Sequence, residues 1–247
     1  MKKICCMMIA LVLCAGMLAG CTPSEDIGLL NVESKSYSTP EDAVHAAVSA
    51  IADNDARKLF AASAVTEAGA GYDLAAQAKQ LDALPGIYYA GAPSEYEMYQ
   101  DMNELMVANT LATQVRGFCY SFFIEDDLSQ MAALTGDAQL GEYIEKVNPA
   151  NLKELKVLRV DLPYPNTANS DDIKAAEKQS AALYGADNQE QRIALLELDG
   201  TLYWAGFTLL QYGNDWKVLA LYSPLANQPA TGAVVEVMEE EYIFMTE

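Results

Sequence analysis

Between residues 192 and 223 the chain carries two tight-turn signals, spaced so as to call for an antiparallel meander. Residues 192–198 read as a strand, Asp199-Gly200 as a two-residue hairpin turn, and 201–212 as the returning strand. Gly213-Asn214-Asp215 turns the chain again into 216–223, which Pro224 ends. A two-residue turn sets Leu196 opposite Tyr203 and Ala194 opposite Ala205. With an even second loop, Phe207 and Leu209 share a face with Trp216, Val218, Ala220 and Tyr222. The opposite face mixes Ile193, Leu195, Trp204 and Leu219 with Glu197, Thr208 and Lys217. The first face is the more continuously apolar, so helices are expected to cover it. A three-residue loop with a bulge would swap the second pairing.

Those helices lie upstream. Thr39-Pro40-Glu41-Asp42 supplies an N-cap, a proline for the first turn and acids at the positive helix end. Ala43, Val44, Ala47, Val48 and Ile51 then recur at helical spacing. Asn54-Asp55 breaks the run and caps a second helix over 56–64, and a third, 72–84, stops at Pro85-Gly86. Residues 94–115 are helical again. The aromatic run 117–124 fits either a strand or the buried end of that helix. A strand is expected over 155–162, a helix over 170–184, and one or two edge strands within 232–244 that leave Glu239-Glu240-Glu241 exposed. The fold class is α+β: N-terminal helices packed on a curved antiparallel sheet formed mainly by the C-terminal third. The domain spans 37–226, with 85–155 as a helical insertion and 227–247 as an acidic C-terminal segment.

Composition restricts the function classes. Half of the 247 residues are apolar, enough for a core, and the net charge is −20. That charge disfavours nucleic acid and anionic head groups as partners. A single histidine, His45, falls away from the apolar stripe of the first helix, toward solvent. Cys119 sits in an apolar run and reads as a small buried hydrophobe. One histidine and one such cysteine do not make a zinc set, and no calcium-loop spacing is present. The sequence also lacks the nucleophile elbow, the phosphate loop and the dinucleotide fingerprint. No cofactor, metal site or catalytic residue is assigned.

The N-terminus points to export. Met1-Lys2-Lys3 is followed by 17 uncharged residues, 4–20, which suit the apolar part of a signal peptide better than a spanning helix of about 20. Leu18-Ala19-Gly20-Cys21 resembles the lipobox of bacterial lipoproteins. The resemblance implies cleavage before Cys21 and a diacylglyceryl group on its sulfur, leaving a signal peptide at 1–20 and a flexible tether at 21–36. Loss of Lys2 and Lys3 leaves 13 basic against 35 acidic residues, a net of −22. Two acyl chains suffice for stable membrane attachment. The expected location is the extracytoplasmic face of the cell membrane.

Two further segments carry a second resemblance. They are the opening Tyr37-Ser38-Thr39-Pro40-Glu41-Asp42-Ala43-Val44 and the late Asn214-Asp215-Trp216-Lys217-Val218. Both are similar to small exported lipoproteins of the nuclear-transport-factor-like, cystatin-like cone fold. That resemblance implies a curved sheet around helices with a cavity between them. It hosts isomerases and other enzymes as well as binders, so it does not fix function. Tyr203, Phe207, Trp216 and Tyr222 are the candidate lining of such a pocket, against the plainer reading of core packing. The expected function is a non-catalytic module that binds a small apolar ligand or an envelope protein. The alternatives are a cone-fold enzyme (isomerase, cyclase or hydrolase-like) acting on a small or lipid-like substrate, and a spacer between partners.

Overall fold

A computed structural model describes residues 32–86, 91–125 and 127–247. The signal peptide and Cys21 lie outside these residues, as does Asp126.

The first helix, α1 (Pro40–Ala52), forms as its sequence dictates. Thr39 Oγ1 accepts from the Asp42 N–H at 3.1 Å, and Pro40 opens the first turn. Its stripe of Ala43, Val44, Ala47, Val48 and Ile51 is buried, while His45 faces solvent. Asn54, in the left-handed region at φ 53°, reverses the chain, and the Asp55 side chain caps α2 (Ala56–Ala61). That helix stops three residues earlier than expected, because residues 62–64 pair with the edge of the sheet. Val218 N–H donates to Ala62 O at 3.0 Å, and Ala64 N–H donates to Val218 O at 2.9 Å. Two short helices follow, α3 (Val65–Gly71) and α4 (Leu74–Leu81). The long α5 (Glu97–Ser121) absorbs most of the ambiguous aromatic run into its last turns.

Segment 85–155 divides in two. Leu111 and Phe118 on α5 are fully buried in the main core, so this helix is integral to the domain. By contrast α6 (Asp137–Lys146) buries no residue and forms an exposed excursion. A short 3-10 turn, Pro149–Leu152, leads into β1 (Lys156–Asp161). Tyr164, at φ 46°, then turns the chain into α7 (Pro165–Ala168) and α8 (Asp171–Leu183).

The sheet is antiparallel in the order β1, β2 (Asn188–Leu198), β3 (Thr201–Tyr212), β4 (Asp215–Ala220). Asp199 and Gly200 both take positive φ, and the hairpin register is the expected one, Leu196 to Tyr203 and Ala194 to Ala205. The second loop is even, as expected: Tyr212 pairs with Asp215 and Leu209 with Val218. Phe207, Leu209, Trp216 and Val218 therefore lie together in the main core, under α1 and α5. Beyond Val218 the register slips, so that Thr208 pairs with Ala220. This inserted residue reverses the alternation. Leu221 enters the core, and Ala220 and Tyr222 leave the face assigned to them.

The end of the chain departs most from expectation. Only Val235–Glu236 forms a strand, β5, paired with β3 at Trp204 and Tyr203. Residues beyond it form a helix, α9 (Glu239–Thr246), in place of edge strands. Three glutamates suit a helix N-terminus, where the Glu241 carboxylate accepts from the Met238 N–H at 2.9 Å. Tyr242 and Met245, three apart, then bury one side of the helix. Between β4 and β5 the exposed edge of β3 is closed by a side chain: Gly206 N–H donates to Gln228 Oε1 at 2.9 Å. The segment 227–247 is thus packed into the domain on the second face of the sheet, with Ile193, Leu195 and Trp204.

The tether also needs correction at its end. Lys35 N–H donates to Ala61 O at 2.9 Å and Ser36 Oγ to the Asp215 carboxylate at 2.8 Å. Ser34 and the Lys35 carbonyl receive the buried Lys217 ammonium. Residues 34–36 are therefore a strap bound to the domain. The reason is a long-range one, the need of a buried cation for oxygen partners.

Candidate functional site

The four residues named from the sequence as a pocket lining do not enclose one together. Phe207 is wholly buried and Trp216 nearly so, both in the packed interior between sheet and helices. Tyr203 is half-buried, its ring 4.8 Å from that of Phe122 in an edge-to-face contact. Tyr222 stands beyond the bulge, where its carbonyl accepts from Thr208 Oγ1 at 2.7 Å.

A different region forms a hollow. On the second face, Trp204 projects from β3, and β5 runs beside it, held by the Val237 N–H to Leu202 O bond of 3.0 Å. Opposite stands α9, fixed by Tyr242. The Tyr242 hydroxyl lies 3.0 Å from both the Asp161 carboxylate and the Ile193 carbonyl, and Arg159 pairs with Asp161 at 3.1 Å. Burial first, and then the charge of Asp161, hold this phenol far above the ordinary tyrosine range, so it stays a donor. The Tyr164 N–H donates to Met245 O at 2.6 Å and secures the far end of the helix.

The groove left between β5 and α9 holds about 500 Å³ and opens to solvent. Its apolar side chains are Trp204, Val235, Val237, Phe244 and Met245, and Glu236, Glu240 and Glu241 supply the polar ones. Phe244 is 77% exposed. Among the described residues none of the three glutamates forms an ion pair. The lining offers carboxylates and apolar surface. Sequence reading placed Trp204 on the second face but could not pair it with Phe244. The available signal was the alternation of Val235 and Val237 before a helix start.

Two polar clusters elsewhere are structural in character. Lys217, buried, lies 3.5 Å from Glu67, and the hollow beside it measures about 10 Å³, room for one water. On α8, Glu177 is buried, paired with Lys174 at 3.1 Å, and burial raises its pKa. The half-buried Cys119 thiol is pushed up to about 11 by burial. Among the described residues no group of His, Cys, Asp and Glu is arranged to hold a metal, and no helix is long and apolar enough to cross a membrane.

No protein-family model and no curated protein matches the sequence. Among solved structures, a cystatin-like protein from Ruminococcus gnavus ATCC 29149 is similar, with a TM-score of 0.51 and 19% identity. The fold is cystatin-like. The match covers 86% of this chain but 44% of that one, so this chain spans less than half of its neighbour's length. At such identity the likeness speaks for architecture alone.

Proposed function

We propose that the chain is a lipid-anchored extracytoplasmic lipoprotein whose domain is a non-catalytic binding module, with the groove between β5 and α9 as its binding surface. The observation that carries the anchor is Leu18-Ala19-Gly20-Cys21, placed behind a cationic start and an uncharged run. The binding half is supported by a groove in which Phe244 is left uncovered by the chain's own residues, over a wall that includes the largely buried Trp204. An enzyme of the cone-fold type would need a carboxylate beside a tyrosine hydroxyl within a cavity. Tyr242 and Asp161 have that chemistry, but the phenol is fully buried and engaged with Ile193 O and Asp161 in holding α9.

The test of the anchor is metabolic labelling with a clickable palmitate analogue in a bacterial host, followed by membrane fractionation. The wild-type chain should take up label, lose its leader and sediment with membranes, and Cys21→Ala should take up no label and keep its leader, whose uncharged run of 17 residues then holds it in the membrane. A Cys21→Ala protein that matures and fractionates like the wild type refutes the anchor.

A further inference from the structure

The occupant of the groove can be narrowed by charge. We infer that it takes a short basic segment of a partner protein, with one apolar side chain set against Trp204 and Phe244 and lysine or arginine side chains reaching Glu236 and Glu240. This deepens the binding reading above and rests on it.

The acids of this molecule are not uniformly left without cations. Glu41 and Glu190 share Arg192 at 2.6 and 2.7 Å, Glu197 meets Lys156 at 3.2 Å, and Glu177 meets Lys174. Most acids among the described residues have no such partner, and Glu236, Glu240 and Glu241 are among them. Lys217 is the last basic residue of the chain, so residues 218–247 contribute five glutamates and no cation. Lys217 itself is buried against Glu67 and the N-terminal strap. Glu236 and Glu240 are exposed, so their carboxylates are open to a cation from outside. Glu241 is the least free of the three, because its carboxylate already caps α9 at the Met238 N–H.

The apolar half of the surface argues against a hydrated cation alone. Phe244 flanks the carboxylates with surface that water covers at a cost, and a side chain laid on it recovers that cost. A groove open to solvent suits a passing chain better than an enclosed small molecule, which a site usually surrounds on most sides. The net charge of −20 raises the local concentration of basic partners and repels acidic ones.

The experiment uses the full chain in neutral phosphatidylcholine nanodiscs, with empty discs as blank. The probes are the pentapeptides Lys-Lys-Phe-Lys-Lys, Lys-Lys-Gly-Lys-Lys and Glu-Glu-Phe-Glu-Glu, together with phenethylamine. The chain has two tryptophans, so Trp216→Phe leaves Trp204 as the reporter of occupancy, and calorimetry on the unsubstituted chain checks it. Saturable binding of the lysine–phenylalanine peptide is expected, with no binding of the glutamate peptide. The glycine peptide should bind several-fold more weakly. Glu236→Gln with Glu240→Gln should weaken the first peptide about threefold to tenfold, as two exposed ion pairs would, and added salt should weaken it further. Binding of the glutamate peptide to equal extent, or indifference to the double substitution, overturns the proposal. Phenethylamine saturating Trp204 while the peptides do not also overturns it, yet leaves the groove a binding site. Silence from every probe counts against the groove reading itself.

Discussion

Gly117 and Gly141 both lie within helices, yet replacing each by alanine should change stability in opposite directions. In a helix interior alanine exceeds glycine by about 1 kcal/mol, because glycine loses more backbone freedom on folding. At Gly141, on the exposed α6, an added Cβ meets nothing within 4 Å. Gly141→Ala should therefore realise most of that gain, raising Tm by about 2–4 °C in a domain of this size. At Gly117 the added Cβ would stand 1.9 Å from the Thr231 carbonyl oxygen. A contact of that kind needs well over 1 Å of relief, and backbone cannot yield as a flexible side chain does. The loop is also held there by Gln114, whose Nε2 donates to the Ala230 carbonyl at 3.4 Å, and by Ser121 Oγ, which accepts from the Val234 N–H at 2.8 Å. Forcing such a core apart costs about 1–3 kcal/mol or more, which exceeds the helical gain. Gly117→Ala should lower Tm by several degrees in thermal melts followed by circular dichroism. Paired measurement of both variants removes any general effect of the substitution. A Gly117→Ala protein as stable as Gly141→Ala would refute the close packing of α5 on the 231 loop, and with it the integral place of that helix.

Three further outcomes are expected. Burial holds Glu177 above the ordinary glutamate range, so its favourable contribution is complete at acid pH and fades as pH rises through the raised value; Glu177→Gln should gain on the wild type in Tm as pH rises from the ordinary glutamate range upward, and parallel curves would contradict this. At pH 7.5 the Cys119 thiol, at about 11, should alkylate on the order of a hundredfold more slowly than a free cysteine, and rapidly in urea; peptide mapping after iodoacetamide reads both. Tyr242→Phe leaves the Ile193 carbonyl without this donor and should cost about 1–3 kcal/mol; an unchanged urea midpoint would show that α9 does not depend on it.

Local signals carried the parts of the fold that local physics decides. The Asp199-Gly200 turn fixes the β2–β3 register without reference to anything distant, and Thr39-Pro40 fixes the start of α1 in the same way. The misplaced parts depend on partners far away in sequence. One residue inserted near Leu219 was enough to turn Tyr222 off the core face, and nothing in the alternation of residues 216–223 announces it. Glu239-Glu240-Glu241 suits an exposed strand edge or the positive end of a helix equally well; Tyr242 and Met245 decide it only because Ile193 and Trp204 stand ready to receive them. The strap at 34–36 is ordered by Lys217, over 180 positions away. The groove was illegible for the same reason, since its two walls are joined only by tertiary packing.

The placement of that groove follows from what fills the usual hollow of such a sheet. Where a curved sheet leaves its concave face partly open, aromatic residues on it are available to a guest. Here α1 presses Ala43, Val44 and Ala47 against the strands, and α5 adds Leu111 and Phe118, so Phe207 and Trp216 are consumed in packing. The same sequence spends residues 235–247 on the opposite face, where β5 and α9 cover Ile193 and Leu195 but leave a groove between them. A helix only eight residues long, anchored by Tyr242 and Met245 on one side, has no second row of apolar residues to close the gap, and Phe244 is left pointing outward. Had the glutamates beside it been alanine or lysine, the region would read as an unfinished core or a solubilised edge. Exposed carboxylates beside the exposed Phe244 instead give the region a surface that a cationic, partly apolar partner would complement.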